Sequence, residues 1–288
     1  MKSWLLNWGF IIVFAFAGQN DTTLSFDTSE GTLISVDISP NGKTIAFDLL
    51  GHIYLMPSSG GTAEAITKGT SWNMLPRFSP DGEKILFTSD RSGSDDLWVQ
   101  NIKTGNMKNV SKMDIPVHQG TWSTDGKHVF GTALNMKVRH PVYRFNMYGK
   151  KQEIIPAGSR SPVNHFAMHP TNNLIYFSHG DGPLYRSGDR IKTYNIQNGE
   201  IKTYVDRAGG AANPTLSQDG KFLAYVHRDD RQTVLVVRNI QTNEEKIVNR
   251  NLDFDRMDGG SFYGSYTNMS WHPNNKEIFI ITTIKYSI

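Results

Sequence analysis

Beyond its first twenty residues the chain reads as short runs in which apolar side chains tend to recur at every second position: LISVDI, KTIAFDL, HIYLMP, EKILFTS, DLWVQNI. Period-two alternation rich in Val, Ile, Phe and Tyr predicts β-strands rather than helices. The runs are punctuated by one recurring four-residue signature: SPNG at 39–42, SPDG at 79–82, STDG at 123–126, HPTN at 169–172, SQDG at 217–220 and HPNN at 272–275. The last residues of these signatures fall 40, 44, 46, 48 and 55 positions apart. That spacing is the period of a propeller blade with some loop insertion.

Each signature carries the chemistry of a tight hairpin. Ser or His opens the turn, Pro presets φ at the second position, and Gly or Asn takes the left-handed position at the fourth. Two antiparallel strands are therefore expected around each signature. A third strand follows in most repeats, at 52–57, 96–102, 141–147, 190–196 and 233–240. Turn residues then lead into a short outer strand such as MKNVSK or IKTYVD. Six repeats of four strands predict an all-β fold, a six-bladed β-propeller of four-stranded antiparallel blades spanning 18–288. A two-sheet sandwich also yields short strands, but not one turn type at a fixed period. The last blade reads as incomplete, with TTLSFDT at 22–28 expected to supply its outer strand and the chain expected to continue past Ile288.

Composition narrows the setting. The formal net charge is +3, with Lys and Arg spread singly, so no basic block offers a track for nucleic acid. Lys2, the apolar run from Trp4 to Phe16 broken by Asn7, and Ala15-Phe16-Ala17 have the order of a secretory signal peptide over residues 1–17. The run is shorter than the roughly 20 residues that span a bilayer. The reading is therefore export with cleavage, and no membrane association afterwards. The chain has no Cys, hence no disulfide and no thiol for lipid attachment.

Four groups of residues invite a chemical reading. His165 and His169 have a helical metal-ligand spacing, but in a strand they lie about 13 Å apart, and His169 fills a turn-opening slot. Asp90, Ser92, Ser94 and Asp96 alternate oxygen ligands as a calcium loop does, without its distal Glu, and read instead as a turn between two strands. Asp253, Asp255 and Asp258, followed by GGSFYGSY, fall in the longest interval between signatures; the 253–266 stretch reads as an inter-blade loop and the first place to look for contacts with a second domain. Trp72, Trp98, Trp122 and Trp271 suggest ligand stacking, yet Trp122 and Trp271 abut their signatures at strand positions, which points to packing between blades. There is no nucleophile elbow, zincin motif or phosphate loop. No residue is assigned a catalytic, cofactor-binding or metal-binding role.

The signatures together with SDRSGSDDLWVQNIKTG resemble the WD40-like, TolB-type propeller repeat. The opening LSFDTSEGTLISVDISPNGKTIAFDLLGHIYLMPSSGGTAEAIT is similar to the propeller that precedes the catalytic barrel in exported bacterial amidohydrolases. That resemblance implies an accessory propeller whose partner is a second, metal-dependent catalytic domain cleaving carbon–nitrogen bonds. The metal would belong to that barrel: no two of the nine His residues here stand two apart, as the barrel's His-x-His pair requires. Through the repeat alone, the chain also resembles TolB, which implies an envelope-protein partner, and the propellers of tricorn-like and prolyl-oligopeptidase-like peptidases.

Overall fold

The computed structural model describes residues 34–134, 140–155, 163–179, 189–230, 232–252 and 269–280. All belong to one compact unit, Gly31–Ile288. Residues 1–17, the 22–28 segment and the 253–266 stretch lie outside the described residues.

The described residues form strands and turns, without a helix. Blade 1 comprises β1 (Val36–Ile38), β2 (Thr44–Leu49), β3 (His52–Pro57) and β4 (Glu64–Ala65). Blade 2 comprises β5 (Asn73–Phe78), β6 (Lys84–Ser89), β7 (Asp96–Asn101) and β8 (Met107–Asn109). Blade 3 is β9 (Val117–Trp122), β10 (His128–Ala133), β11 (Val142–Asn146) and β12 (Lys151–Ile155). Blade 4 is β13 (Asn164–Met168), β14 (Leu174–His179), β15 (Arg190–Asn195) and β16 (Ile201–Val205). Blade 5 is β17 (Ala211–Leu216), β18 (Phe222–Asp229), β19 (Gln232–Asn239) and β20 (Glu245–Leu252). Each is an antiparallel meander in chain order. The sixth signature joins only β21 (Met269–Trp271) to β22 (Ile278–Ile280).

This corrects the six-bladed expectation: among the described residues there are five four-stranded blades, and a two-stranded ribbon stands at the sixth signature. The physical reason is that the signature specifies only the first hairpin of a repeat. The outer two strands of a repeat depend on separate turn and strand signals. The ribbon nonetheless joins the two ends of the blade series. Its β21 packs on β17 of blade 5 and on β1 of blade 1, and Ser270 Oγ donates to Asp37 Oδ1 at 2.7 Å. A cavity of about 420 Å³ opens between blade 5 and the ribbon, lined by Phe222, Leu235, Trp271, Ile278 and Ile280 among others.

The turn chemistry is local and repeated. In blade 2, Ser79 N donates to Lys84 O at 2.9 Å and Gly82 N to Ser79 O at 2.8 Å, while Ser79 Oγ donates to Asp81 Oδ1 at 2.5 Å. Gly42, Gly82, Gly126, Gly220 and Asn275 hold positive φ as the signature requires. In the fourth turn the left-handed residue is Asn173, one position later than expected. The turns also touch one another: a Cβ on Gly82 would lie 3.4 Å from Pro40, and one on Gly126 would lie 3.6 Å from Pro80.

The core lies between neighbouring blades. Ile85, Leu86 and Phe87 of β6 are all buried, since the second strand is covered on both faces. Leu86, Leu97 and Val99 of blade 2 form one cluster with Val117, Trp122, Val129 and Phe145 of blade 3. Each such side chain contributes about 1.5–3 kcal/mol by burial. Indole donors fix the approach of adjacent blades: Trp122 Nε1 donates to Arg77 O at 3.1 Å and Trp271 Nε1 to Thr215 O at 3.2 Å.

Candidate functional site: the inner strands and one rim

Four inner strands break their ladder at the same place. Register shifts fall between Met74 and Arg77 in β5, His118 and Thr121 in β9, Asn164 and Ala167 in β13, and Ala212 and Thr215 in β17. Each bulge opens with a non-glycine residue at positive φ: Leu75 (59°), Gln119 (57°), His165 (50°) and Asn213 (58°). Bulges of this kind re-aim backbone groups and side chains. Here they turn N–H groups toward the preceding blade. Leu75 N donates to Asp48 Oδ2 at 3.0 Å, His165 N to Gln119 Oε1 at 2.6 Å, and Asn213 N to Ser178 Oγ at 2.8 Å.

Two residues past the Leu75 bulge, Arg77 lies within electrostatic reach of Asp37 in blade 1 and His165 in blade 4. Its Nη1 donates to Pro76 O at 2.9 Å and Val36 O at 3.3 Å. Asp37 Oδ2 accepts Phe78 N at 2.7 Å, so this carboxylate ties the ribbon, blade 1 and blade 2 together. Burial raises the Asp37 carboxyl above its ordinary range against the opposing pull of Arg77. Burial, with Arg77 adding to it, pushes the His165 imidazole down to about 3. Buried polar groups of this sort rigidify a structure when their hydrogen bonds are satisfied.

At the rim where second strands turn into third strands, His118 Nε2 lies 3.3 Å from Asp95 Oδ2. Burial pushes His118 down to about 4 and raises Asp95, whose neighbours Asp90 and Asp96 raise it further. The imidazole is therefore neutral despite its ion-pair distance, because desolvation outweighs the attraction. Asp189, placed in blade 4 as Asp95 is in blade 2, is pushed up to about 6 by burial.

The TolB β-propeller domain family, PD40, matches residues 11–185, more than half of the 288-residue chain. The chain belongs to the TolB β-propeller family. The propeller is 25% identical over 220 residues to the uncharacterized protein Atu1656 of Agrobacterium fabrum, covering 69% of this chain and 72% of that protein. It is 23% identical over 175 residues to the uncharacterized peptidase YuxL of Bacillus subtilis, covering 60% of this chain. Of that peptidase's own length it spans 24%, about a quarter. The crystal structure of TolB from Acinetobacter baumannii matches with a TM-score of 0.65 at 19% identity, over 85% of this chain and 56% of that one.

The TolB-type frame gives a place to those candidates from the sequence that lie among the described residues; Asp253, Asp255 and Asp258 lie outside them. His165 sits on its bulge and His169 at its turn, where Nε2 lies 3.1 Å from Gly220 O and Nδ1 accepts Thr171 N at 3.2 Å. His169 thus caps a turn, and among the described residues no three His, Asp or Glu converge to hold a metal. The 90–96 loop is a structural turn. Asp96 accepts Ser92 Oγ at 2.6 Å, Asn109 Nδ2 at 2.7 Å and Ser111 Oγ at 2.5 Å, so its oxygens are committed within the blade. Trp122 and Trp271 pack as expected, whereas Trp72 is exposed. Sequence reasoning missed the bulges together with Asp37 and Arg77. For two of the four bulges a signal was available: Pro76 and Pro214 each stand three residues before a signature inside a strand run, where Pro is confined to an edge or a bulge.

Proposed function

We propose that this TolB-type propeller is a non-catalytic binding and positioning module, exported from the cytoplasm, that works beside a hydrolytic domain of the amidohydrolase or peptidase class. The observation that carries this reading is its partial span. The same repeats make up about a quarter of a protein described as a peptidase, which supports a module serving a larger hydrolase. The contacts around the inner strands agree with such a role: Asp37, Gln119 and, from β2, Asp48 are engaged in holding blades together rather than converging on a reacting atom. Export is supported by the leader-like opening of the sequence.

The test has two arms. Purified chain, assayed with amide, dipeptide and cyclic-amide substrates in the presence of zinc, is expected to show no turnover above buffer. Turnover that follows the chain through purification would overturn the non-catalytic assignment. In the source organism, crosslinking followed by mass spectrometry is expected to recover a hydrolase domain, on the same chain or another.

A second reading is a free-standing envelope-protein binder of the TolB kind, favoured by the 72% coverage of Atu1656 and the likeness to a solved TolB. Crosslinks exclusively to envelope proteins would select it.

A further inference from the structure

We propose that Leu50 and Trp72 form the apolar anchor of a docking site for a partner segment that presents an apolar or aromatic side chain next to Lys or Arg. The proposal rests on the binding-module reading and names the surface and partner chemistry that reading leaves open.

The first observation is a residue in the wrong kind of place. Leu49 pairs with His52, so Leu50 and Gly51 alone make the loop between β2 and β3. Both have positive φ, 51° and 80°, the pattern of a type I′ turn. That turn favours Asn, Asp or Gly at its first position, and a branched apolar side chain there is strained. Blade 5 builds its two-residue loop in the ordinary way: Asp229 pairs with Gln232, and Asp230 takes the first position at φ 43°. Leu50 supports no fold in return, because it is 57% exposed.

The second observation is its neighbour. Trp72, on the connection into blade 2, is 53% exposed, and its ring lies over Gly51, where a Cβ would stand 3.1 Å from Cε3. The backbone beneath it is held at two points: Trp72 N donates to Asp90 Oδ1 at 2.8 Å and Asp90 N donates to Trp72 O at 3.4 Å. A backbone-anchored exposed Trp is the residue type of an interaction hot spot, and the strained exposed Leu beside it extends the apolar patch.

The third observation sets the partner's charge. The 90–96 loop that holds Trp72 carries one cation, Arg91, and one exposed carboxylate, Asp90, since Asp96 is buried and Asp95 lies against His118. The Arg91 guanidinium lies 5.5 Å from the Phe87 ring and 5.1 Å from the Trp98 ring, with Nη2 donating to Asn73 Oδ1 at 2.6 Å. Exposed Asp90, beside the Trp72 backbone and within electrostatic reach of Arg91, presents its carboxylate to an incoming cation. Charge complementarity of this type selects partners more than it adds raw affinity.

The test uses the full chain labelled with 5-fluorotryptophan, its Trp72 resonance assigned through Trp72→Phe. The probes are synthetic peptides containing Phe-Leu-Lys-Arg, the same peptide with Phe→Ala, and the same peptide with Lys-Arg replaced by Glu-Glu. The parent peptide is expected to move the Trp72 resonance saturably, and either peptide change is expected to weaken binding at least tenfold. Leu50→Asn is expected to weaken it similarly while leaving the thermal midpoint equal or higher, since Asn suits the turn. An unmoved Trp72 resonance, equal binding of the Glu-Glu peptide, or full binding by Leu50→Asn overturns the proposal. Those failures leave the binding-module reading standing if the hydrolase crosslinks persist. Conversely, peptide binding without hydrolase crosslinks upholds this surface and removes the hydrolase partner.

Discussion

Single residues here matter through the blades they join. Asp48, only 6% exposed, accepts Ser35 N at 2.5 Å, Ser35 Oγ at 2.9 Å and Leu75 N at 3.0 Å. Asp48→Ala would leave two buried N–H groups without their acceptor, and is expected to lower unfolding stability in urea by about 3 kcal/mol. Asp189 acts in the opposite sense. Burial raises its carboxyl to about 6, so the folded state holds its proton more tightly than the unfolded chain does. The stabilisation is present below about pH 4 and is lost as pH rises through about 6. Asp189→Asn is therefore expected to gain about 2 to 3 kcal/mol over the parent at pH 7.5 and nothing at pH 3, read from urea midpoints across pH.

At the scale of the hairpin, the turns lean on one another, and that contact can be tested by volume. A Cβ on Gly42 would stand 2.6 Å from His272 Nε2, at a φ of 72°, whereas one on Gly60, at 89°, meets nothing within 4 Å. Gly60→Ala is expected to cost about 1 kcal/mol from its backbone alone. Gly42→Ala should cost at least twice that, measured by thermal melts, because the ribbon must also move. The same comparison shows what the sequence made legible. Five of the six signatures place their left-handed residue where Gly or Asn stands, because a turn is written in four adjacent positions. The blade count was not legible, since a signature encodes its own hairpin and not the outer strands. Nor were most of the bulges: Leu75, Gln119 and His165 have little liking for positive φ, and for Leu75 and His165 an acceptor on the preceding blade holds the bulged N–H. Asp37 and Arg77 escaped for a related reason. A lone charge in an alternating strand reads as solvent-facing until the neighbouring blades are in place.

For the propeller as a whole, the buried imidazoles set the acid limit. His118 and His165 are pushed down to about 4 and about 3, so they stay neutral in the fold while the unfolded chain takes up protons below pH 6.5; their stabilisation is fully present above pH 6.5 and is lost as pH falls toward those values. A fall of roughly 3 kcal/mol or more per histidine is expected between pH 6.5 and pH 3. His118→Gln together with His165→Asn, the second chosen because Asn accepts positive φ, should flatten that limb in pH-dependent urea titrations. The polar ties between blades also differ in kind. Phe78 to Asp37 and Trp122 to Arg77 each span 41 and 45 residues, but Ser270 to Asp37 spans 233. On a chain-closure argument the long tie carries about 1.5 kcal/mol more entropic cost than the short ones. The circle is thus five inexpensive clasps and one dear latch. During folding the latch should shut last, and under native exchange the amides flanking Asp37 and Ser270 should open first.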